Sequence, residues 1–263
     1  MSFHLQKAGV WKRFSAWLFD FIFVVMFSFG FATATSAIIN YEQYSVEMDR
    51  YYAQYEEHYG VDFDITQEEY DALGDEEKAK YDEARQAYAK DGNVIALQGK
   101  ILERTMLILC LGIFFAYLVW YFIIPLLFGY GQTLGKKLFG LAVVRANTVK
   151  ATNQVLFIRA MVGQYAIETM FPVLMIVMIW FGAMGVVGLI TIGLLLILQI
   201  VMLCVTQTNS AIHDLLTDTV VVDYASQRIF ETEEDLIAYK AQLAAEKAAQ
   251  SENVETLGYN RVK

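Results

Sequence analysis

The sequence contains very little cysteine, histidine or proline: two, three and two residues, respectively, among 263. Cys110 and Cys204 both lie within apolar runs, so we interpret them as small buried hydrophobic residues and exclude a disulfide framework. The histidines, His4, His58 and His213, include no pair at metal-ligand spacing. We therefore expect no metal and no cofactor. We also expect no enzyme, because no nucleophile, base and orienting group occur together.

Positive charge is also scarce, and the net charge of −9 argues against a nucleic-acid partner. Hydrophobic residues, by contrast, make up 56% of the chain and are gathered into long runs separated by charged blocks. That pattern is typical of a polytopic membrane protein, so the lipid bilayer is its first expected partner.

Residues 1–39 are predicted to form an interfacial lead-in and the first membrane span. The apolar run that starts at Lys12 is long enough to cross a hydrocarbon core of about 30 Å, and too long for the core of a cleaved signal peptide. Asp20 lies about two turns inside the membrane, where a carboxylate should face protein or water. Arg13, on nearly the same helix face, is its first candidate partner. The pair could be structural or could take part in transport.

Residues 40–104 are rich in Tyr, Glu, Asp and Lys and contain no long apolar run, which predicts a soluble helical insert. Thr66 with Glu69 fits a capping box, and Asp75 is predicted to cap a second charged helix. Tyrosines recur along one helical face. They include Tyr44, Tyr51, Tyr55 and Tyr59. This face could be the core of a small helical cap or a docking surface for a partner protein.

The second span is predicted at residues 105–128, with Trp120 and Tyr121 as interface anchors. The following loop, residues 129–159, contains five basic residues and no acidic one. By the positive-inside rule this loop is cytoplasmic. The amino terminus is then also cytoplasmic, and the insert faces outward.

A motif in this loop is predicted to face lipid: Thr133, Gly135, Lys136 and Lys137. The threonine can cap a short helix, the glycine permits close approach to the membrane face, and the lysines can reach anionic headgroups. Farther on, the β-branched Val143 and Val144 could pair with residues 220–222 as a small cytoplasmic β-ribbon.

Residues 160–206 are apolar for too long to form one helix. Gly182, Gly185 and Gly188 predict a turn between a third and a fourth span, which either cross fully or are re-entrant. Glu168 in the third span lies about as deep as Asp20. The two carboxylates could share a proton or a monovalent cation, or could be matched by Arg159 and Arg13, respectively.

Residues 207–263 are predicted to be a cytoplasmic tail whose acidic, alanine-rich helix lies free or meets a partner. The expected fold class follows from these segments. It is an all-α polytopic membrane protein: a four-span helical bundle with a helical extracytoplasmic insert and a small cytoplasmic β-ribbon.

Three separated motifs resemble those of the RDD family of small membrane proteins, which is named for one arginine and two aspartates. The first combines Arg13 with the Ala-x-Leu-x-Asp element that ends at Asp20. The second is GQTLGKKLFGLAVVR at residues 131–145, followed by Arg159, and the third is IHDLLTDTVVV at residues 212–222. The resemblance covers residues 8–223 apart from the insert. It implies that Arg13, Asp20 and Asp214 are the three name-giving residues and that they meet at the inner leaflet.

The resulting polar network has six members: Arg13, Asp20, Arg159, Glu168, His213 and Asp214. Two functions remain open. The chain could be a scaffold or regulator that binds a partner through its insert or tail, in a homo-oligomer or with another membrane protein. Alternatively, as the resemblance implies for some members, it could be a small oligomeric transporter that exchanges a monovalent cation for protons. The resemblance also implies a bacterial plasma membrane as its location.

Overall fold

A computed structural model describes residues 5–180, 184–206 and 208–259, with the side chains of residues 203, 204 and 251–259 left out. His4, Gly182 and the side chain of Cys204, on which three of the predictions above depend, lie outside the described part. Four of the described helices are long and apolar enough to cross a membrane: Val10–Ile38, Gly92–Phe128, Asn153–Trp180 and Gly185–Met202. The prediction of an all-α polytopic membrane protein is confirmed.

The regular elements follow one another along the chain with short connections. In order they are α1 (Val10–Ile38), α2 (Glu42–Tyr59), α3 (Gln67–Ala72), α4 (Asp75–Lys90), α5 (Gly92–Tyr117), the π-helix π1 (Leu118–Ile123), α6 (Ile124–Phe128), α7 (Leu134–Leu138), β1 (Leu141–Arg145), α8 (Asn153–Ile158), the π-helix π2 (Arg159–Met170), α9 (Phe171–Trp180), α10 (Gly185–Val205), α11 (Ile212–Leu216), β2 (Thr219–Asp223) and α12 (Glu233–Tyr259). The helices that contain the second and third predicted spans begin at Gly92 and Asn153, before the predicted starts of those spans near residues 105 and 160.

Both π-helical segments precede a proline. Segment π1 ends at Ile123, two residues before Pro125, and π2 ends at Met170, two residues before Pro172. Proline has no N–H to donate to the carbonyl four residues earlier. The N–H of the following residue can serve that carbonyl only across the wider i→i+5 turn, which is the π-helical pattern. The widened helix before Pro172 is twelve residues long.

Residues 25–116 form one of two compact units. Its extramembrane part contains α2, α3 and α4, as the sequence predicts. The capping box of α3 is present: Thr66 N–H donates to Glu69 Oε2 at 2.7 Å and Glu69 N–H donates to Thr66 Oγ1 at 3.3 Å. Helix α4 begins at Asp75 itself, so the prediction that Asp75 is its cap is wrong.

The insert has a hydrophobic core of its own. Phe63, Ala84, Tyr88 and Val94 are buried there, and the tyrosine-rich face of α2 packs against them. The packed residues of α2 are Met48, Tyr51, Tyr52, Tyr55 and Tyr59. The tyrosine stripe is thus mostly an internal surface of the insert.

The other unit contains the described residues of the ranges 1–24 and 117–263. Strands β1 and β2 pair antiparallel, with Val143 opposite Val221 and Val144 opposite Val220. This is the predicted ribbon. The chain before α1 extends it, because Ala8 N–H donates to Val221 O at 3.2 Å. Nearly every residue of the two strands is buried, so the ribbon is the core of this extramembrane layer.

Helix α12 is attached to the same layer through its first turns. Leu236 is buried against Val149 and Phe230. Two ion pairs flank this contact, Arg145 with Glu233 at 2.9 Å and Lys150 with Glu231 at 2.8 Å. Beyond this attachment most of the described side chains of α12 are exposed.

Candidate functional site

Asp214 on α11 is completely buried and binds two arginines from distant helices. Arg13 of α1 donates from Nη2 to its Oδ2 at 2.7 Å. Arg159, the first residue of π2, donates to its Oδ1 from Nη2 at 2.7 Å and from Nε at 3.1 Å. Ala211 N–H adds a fourth bond at 3.2 Å. A single carboxylate therefore joins α1, π2 and α11.

The charges around Asp214 fix its ionisation state. Burial alone would raise the pKa of this carboxyl group. The neighbouring His213 ring and the guanidinium groups of Arg159 and Arg13 outweigh burial and hold the pKa of Asp214 well below the usual range. Asp214 is therefore an anion at every physiological pH. Its stabilising effect is present above the ordinary carboxyl pKa and is lost only in strong acid.

Glu168 and His213 make a second connection between π2 and α11. The Glu168 carboxylate accepts from the His213 backbone N–H at 3.0 Å and lies 2.7 Å from its Nδ1. The helices are in close contact here because π2 carries Gly163: a Cβ at that position would lie 2.5 Å from the Cβ of His213. Only glycine leaves room for α11 at this point.

Asp20 forms a separate buried cluster. It is 1% exposed and accepts hydrogen bonds from Trp120 Nε1 at 3.0 Å, from Thr133 Oγ1 at 2.5 Å and from Gly135 N–H at 2.8 Å. Thr133 also caps α7, because its Oγ1 accepts from the backbone of Lys136. The cap and the carboxylate together attach α7 to the side of α1.

Lys136 lies inside this cluster. Its Nζ is 4.0 Å from Asp20 Oδ2 and 5.5 Å from the ring centre of Tyr121. Burial lowers the pKa of the Lys136 amine to about 8, although the Asp20 carboxylate acts in the opposite direction. The prediction that Lys136 faces lipid headgroups is therefore wrong, whereas Lys137 is exposed, with its Nζ 4.1 Å from the ring centre of Phe128.

The low pKa of Lys136 predicts a pH dependence of stability. Between about pH 8 and pH 10.5 the unfolded chain retains a proton on this amine that the folded chain has lost. Stability contributed by this group therefore rises with pH over that interval, by up to about 3 kcal/mol. We expect the melting temperature of wild type in detergent to rise, relative to that of Lys136→Met, between pH 7.5 and pH 10. Lys137→Met should follow wild type. An unchanged difference between wild type and Lys136→Met would contradict the prediction.

The pairing of Arg13 with Asp20 that the sequence predicts is wrong. Seven helical residues separate their Cα atoms by about 10 Å along the axis, so the two side chains share a face but lie at different depths. Arg13 pairs with Asp214, and Asp20 pairs with the α7 motif. The prediction that Arg159 matches Glu168 is also wrong, because Arg159 binds Asp214.

Some residues have roles that differ from the predicted ones, and one residue has a role that was not predicted. Trp120 and Tyr121 are buried, and so are not interface anchors. Gly135 gives close approach to α1 rather than to the membrane face, since a Cβ there would meet the Ala16 carbonyl oxygen. The sequence does not identify Trp120 as a hydrogen-bond donor to Asp20. The need of a buried indole N–H for an acceptor is the signal that could have found it.

The four insert tyrosines proposed for partner docking are not part of this polar core. Tyr51, Tyr55 and Tyr59 pack within the insert, and Tyr55 donates to Asp91 at 2.8 Å. Tyr44 is half-buried on the same helix. Among the described residues there is no group of three His, Cys, Asp or Glu side chains that could hold a metal ion.

In a comparison with known families, one family model matches most of the chain. The model of the RDD family matches residues 7–218, a range that includes both aspartate clusters and the insert between them. Comparisons with curated proteins and with solved structures gave no match.

Proposed function

Because this chain belongs to the RDD family of membrane proteins, we propose that it is a membrane scaffold or regulator that holds a partner protein through its projecting C-terminal helix. One observation carries the proposal: the acceptor oxygens of both buried aspartates are occupied by donors from within the chain. Such carboxylates fasten helices together. They leave the projecting segments as the surfaces that a partner can reach.

Each of these carboxylates accepts at least three hydrogen bonds from within the chain. Asp20 accepts from Trp120, Thr133 and Gly135, and Asp214 accepts from two guanidinium groups and a backbone N–H. A buried acid with this many donors would lose most of them on binding a cation or a proton. The arrangement favours a rigid body over an exchange site.

The attachment of α12 supports its use as a projecting arm. Leu236 and Phe230 fix its root in the hydrophobic layer, and Arg228 lies 3.9 Å from the ring centre of Tyr239. An apolar anchor with flanking ion pairs fixes the direction in which the helix leaves the membrane body. The exposed, alanine-rich turns that follow can receive a partner without disturbing the core.

The location we propose is a bacterial plasma membrane with both termini in the cytoplasm. Support comes from the loop at residues 129–159, whose five basic residues are accompanied by no acidic residue. In this topology α12 is cytoplasmic and the insert is on the opposite side. The insert contributes a folded acidic cap, and its tyrosines stabilise that cap.

Deletion tests the proposal. We expect full-length protein, solubilised from native membranes in mild detergent, to copurify with a partner. Deletion of residues 241–263 should lower the partner yield at least tenfold while membrane insertion is retained. Deletion of residues 42–91 is the matched control and should leave the yield within twofold. A photo-crosslinker at Gln242 should capture the same partner. Companions unchanged by the tail deletion would refute the proposal.

Exchange of a monovalent cation for protons is the alternative, and the pair of Glu168 with His213 favours it, since their side chains are 15% and 12% exposed, respectively. Transport by this route requires Glu168 to exchange its imidazole partner for a cation. Proton-coupled sodium or potassium flux into proteoliposomes that is abolished by Glu168→Gln would favour the alternative over the scaffold.

A further inference from the structure

The side-chain carbonyl oxygen of Gln164 is a buried acceptor to which no described residue donates. The residue is 8% exposed, and its Oε1 has no hydrogen-bond partner among the described residues. Its Nε2 lies 3.4 Å from Nε2 of His213. A buried carbonyl oxygen without a donor costs about 1–3 kcal/mol, so this geometry is stabilised by any donor that reaches it.

The ring of His213 is surrounded by acceptors on both sides. Its Nδ1 is 2.7 Å from Glu168 Oε2, and its Nε2 is 3.4 Å from Asp214 Oδ1. If Nε2 carries no hydrogen, its lone pair points towards an anionic oxygen. If Nε2 carries one, the same contact is attractive.

We propose that His213 is a proton-binding site, in which a second proton on Nε2 is held between Gln164 and Asp214. The oxygen and nitrogen of a glutamine amide have nearly the same shape, so a half-turn of the amide brings Oε1 to face Nε2. The orphan acceptor then receives the Nε2–H, and Nδ1–H continues to donate to Glu168. Both ring N–H groups of His213 then have an acceptor in the cluster: Nδ1–H in Glu168, and Nε2–H in Gln164 and Asp214.

The charged groups around the ring are consistent with a cation at this place. From π2 it faces Glu168 and, through Asp214, Arg159; from α1 it faces Arg13 through the same carboxylate. Two guanidinium groups and two carboxylates cancel, and the ring lies between the two carboxylates. From β2 the neutral Thr219 hydroxyl donates to the Asp214 carbonyl oxygen at 3.5 Å.

The position gives the proton a mechanical role. His213 contacts π2 at Gly163, and α11 leads directly into strand β2 of the ribbon. A proton shared between the ring and Gln164 therefore fastens the ribbon to the third spanning helix. This inference does not depend on the proposed scaffold function.

Solution NMR of the full chain in lipid nanodiscs tests the site, with ¹⁵N-labelled histidine and glutamine. The spectrum of His213 is identified by its loss in His213→Gln. At pH 7 we expect both ring nitrogens of His213 to carry hydrogen. Gln164→Met, which preserves volume but removes the acceptor, should reduce the doubly protonated fraction at least threefold. Gln154→Met, outside the cluster, is the control and should leave it unchanged.

Two outcomes overturn the proposal. The first is a wild-type ring with hydrogen on one nitrogen only at pH 7. The second is a His213 spectrum that changes when sodium replaces choline at constant pH, which would assign the orphan oxygen to a metal cation. If Gln164→Met does not fold, the wild-type spectrum alone decides, because the number of hydrogens on each ring nitrogen is read directly from its chemical shift.

Discussion

Asp214→Asn is expected to cause the largest loss of stability of any single isosteric substitution in this chain. The variant retains the shape of the side chain but removes the negative charge that Arg13 and Arg159 share at 2.7 Å. Two buried guanidinium groups would then lack a counter-charge. Breaking a buried ion pair in this way costs about 3–5 kcal/mol. We expect the melting temperature in detergent to fall by on the order of 10 °C, with reduced accumulation in membranes.

The matched control is Asp223→Asn. Asp223 also pairs with a basic residue at 2.7 Å, but its partner Lys12 has a side chain 55% exposed. Surface pairs contribute about 0–1 kcal/mol, so the change should be small. The double variant Arg13→Gln with Asp214→Asn should recover part of the loss, because it removes one stranded cation. Equal melting temperatures for Asp214→Asn and Asp223→Asn would contradict the assignment of Asp214 as the carboxylate that holds α1, π2 and α11 together.

Gly135→Ala is expected to have the next largest effect. The Cβ of the new alanine would lie 2.8 Å from Asp20 Oδ1 and against the carbonyl oxygen of Ala16, both of which belong to α1. Helix α7 would have to withdraw from α1, and the hydrogen bond from Gly135 N–H to Asp20 would lengthen or break. Overpacking and the lost bond together should cost about 3 kcal/mol or more.

A glycine with open space gives the comparison for this experiment. Gly99 lies within α5, and a Cβ there meets no atom within 4 Å. Gly99→Ala should raise stability by about 0.5–1 kcal/mol, because alanine favours the helix. Thermal melts of both variants in the same detergent measure the contrast. A Gly135→Ala protein as stable as wild type would show that α7 does not need close contact with α1.

Local signals in the sequence were sufficient for the α7 motif and the ribbon. Thr133 followed by Leu134 has the pattern of a helix cap, and the β-branched runs around Val143 and Val221 have the pattern of paired strands. Each cap and each strand depends on residues near one another along the chain, although the two strands that pair are distant in sequence. The same holds for the capping box of Thr66 and Glu69 in the insert. Local rules predict local structure well here.

Partner choice in the polar core could not be predicted from local rules. Asp20, Glu168 and Asp214 all need donors, and two arginines and one histidine are available to them. Which donor pairs with which carboxylate depends on how far along its helix each side chain lies and on which face of the helix it lies. The π-helical turns of π2 change both: Arg159, Gln164 and Glu168, at intervals of five and four residues, come to one face of a π-helix but not of an α-helix. The proline after each segment marks where the π-helical turns end, but not how far they extend towards the amino terminus.

The position of the central carboxylate late in the chain has a consequence for biosynthesis. Arg13 is translated 201 residues before Asp214. At about 5–20 residues per second, that interval is roughly 10–40 s. During this time the first span resides in the membrane with its guanidinium unmatched by its final acceptor. The polar core can therefore be completed only after Asp214 has been synthesised, and a nascent chain that stops before residue 214 lacks the carboxylate that pairs with Arg13.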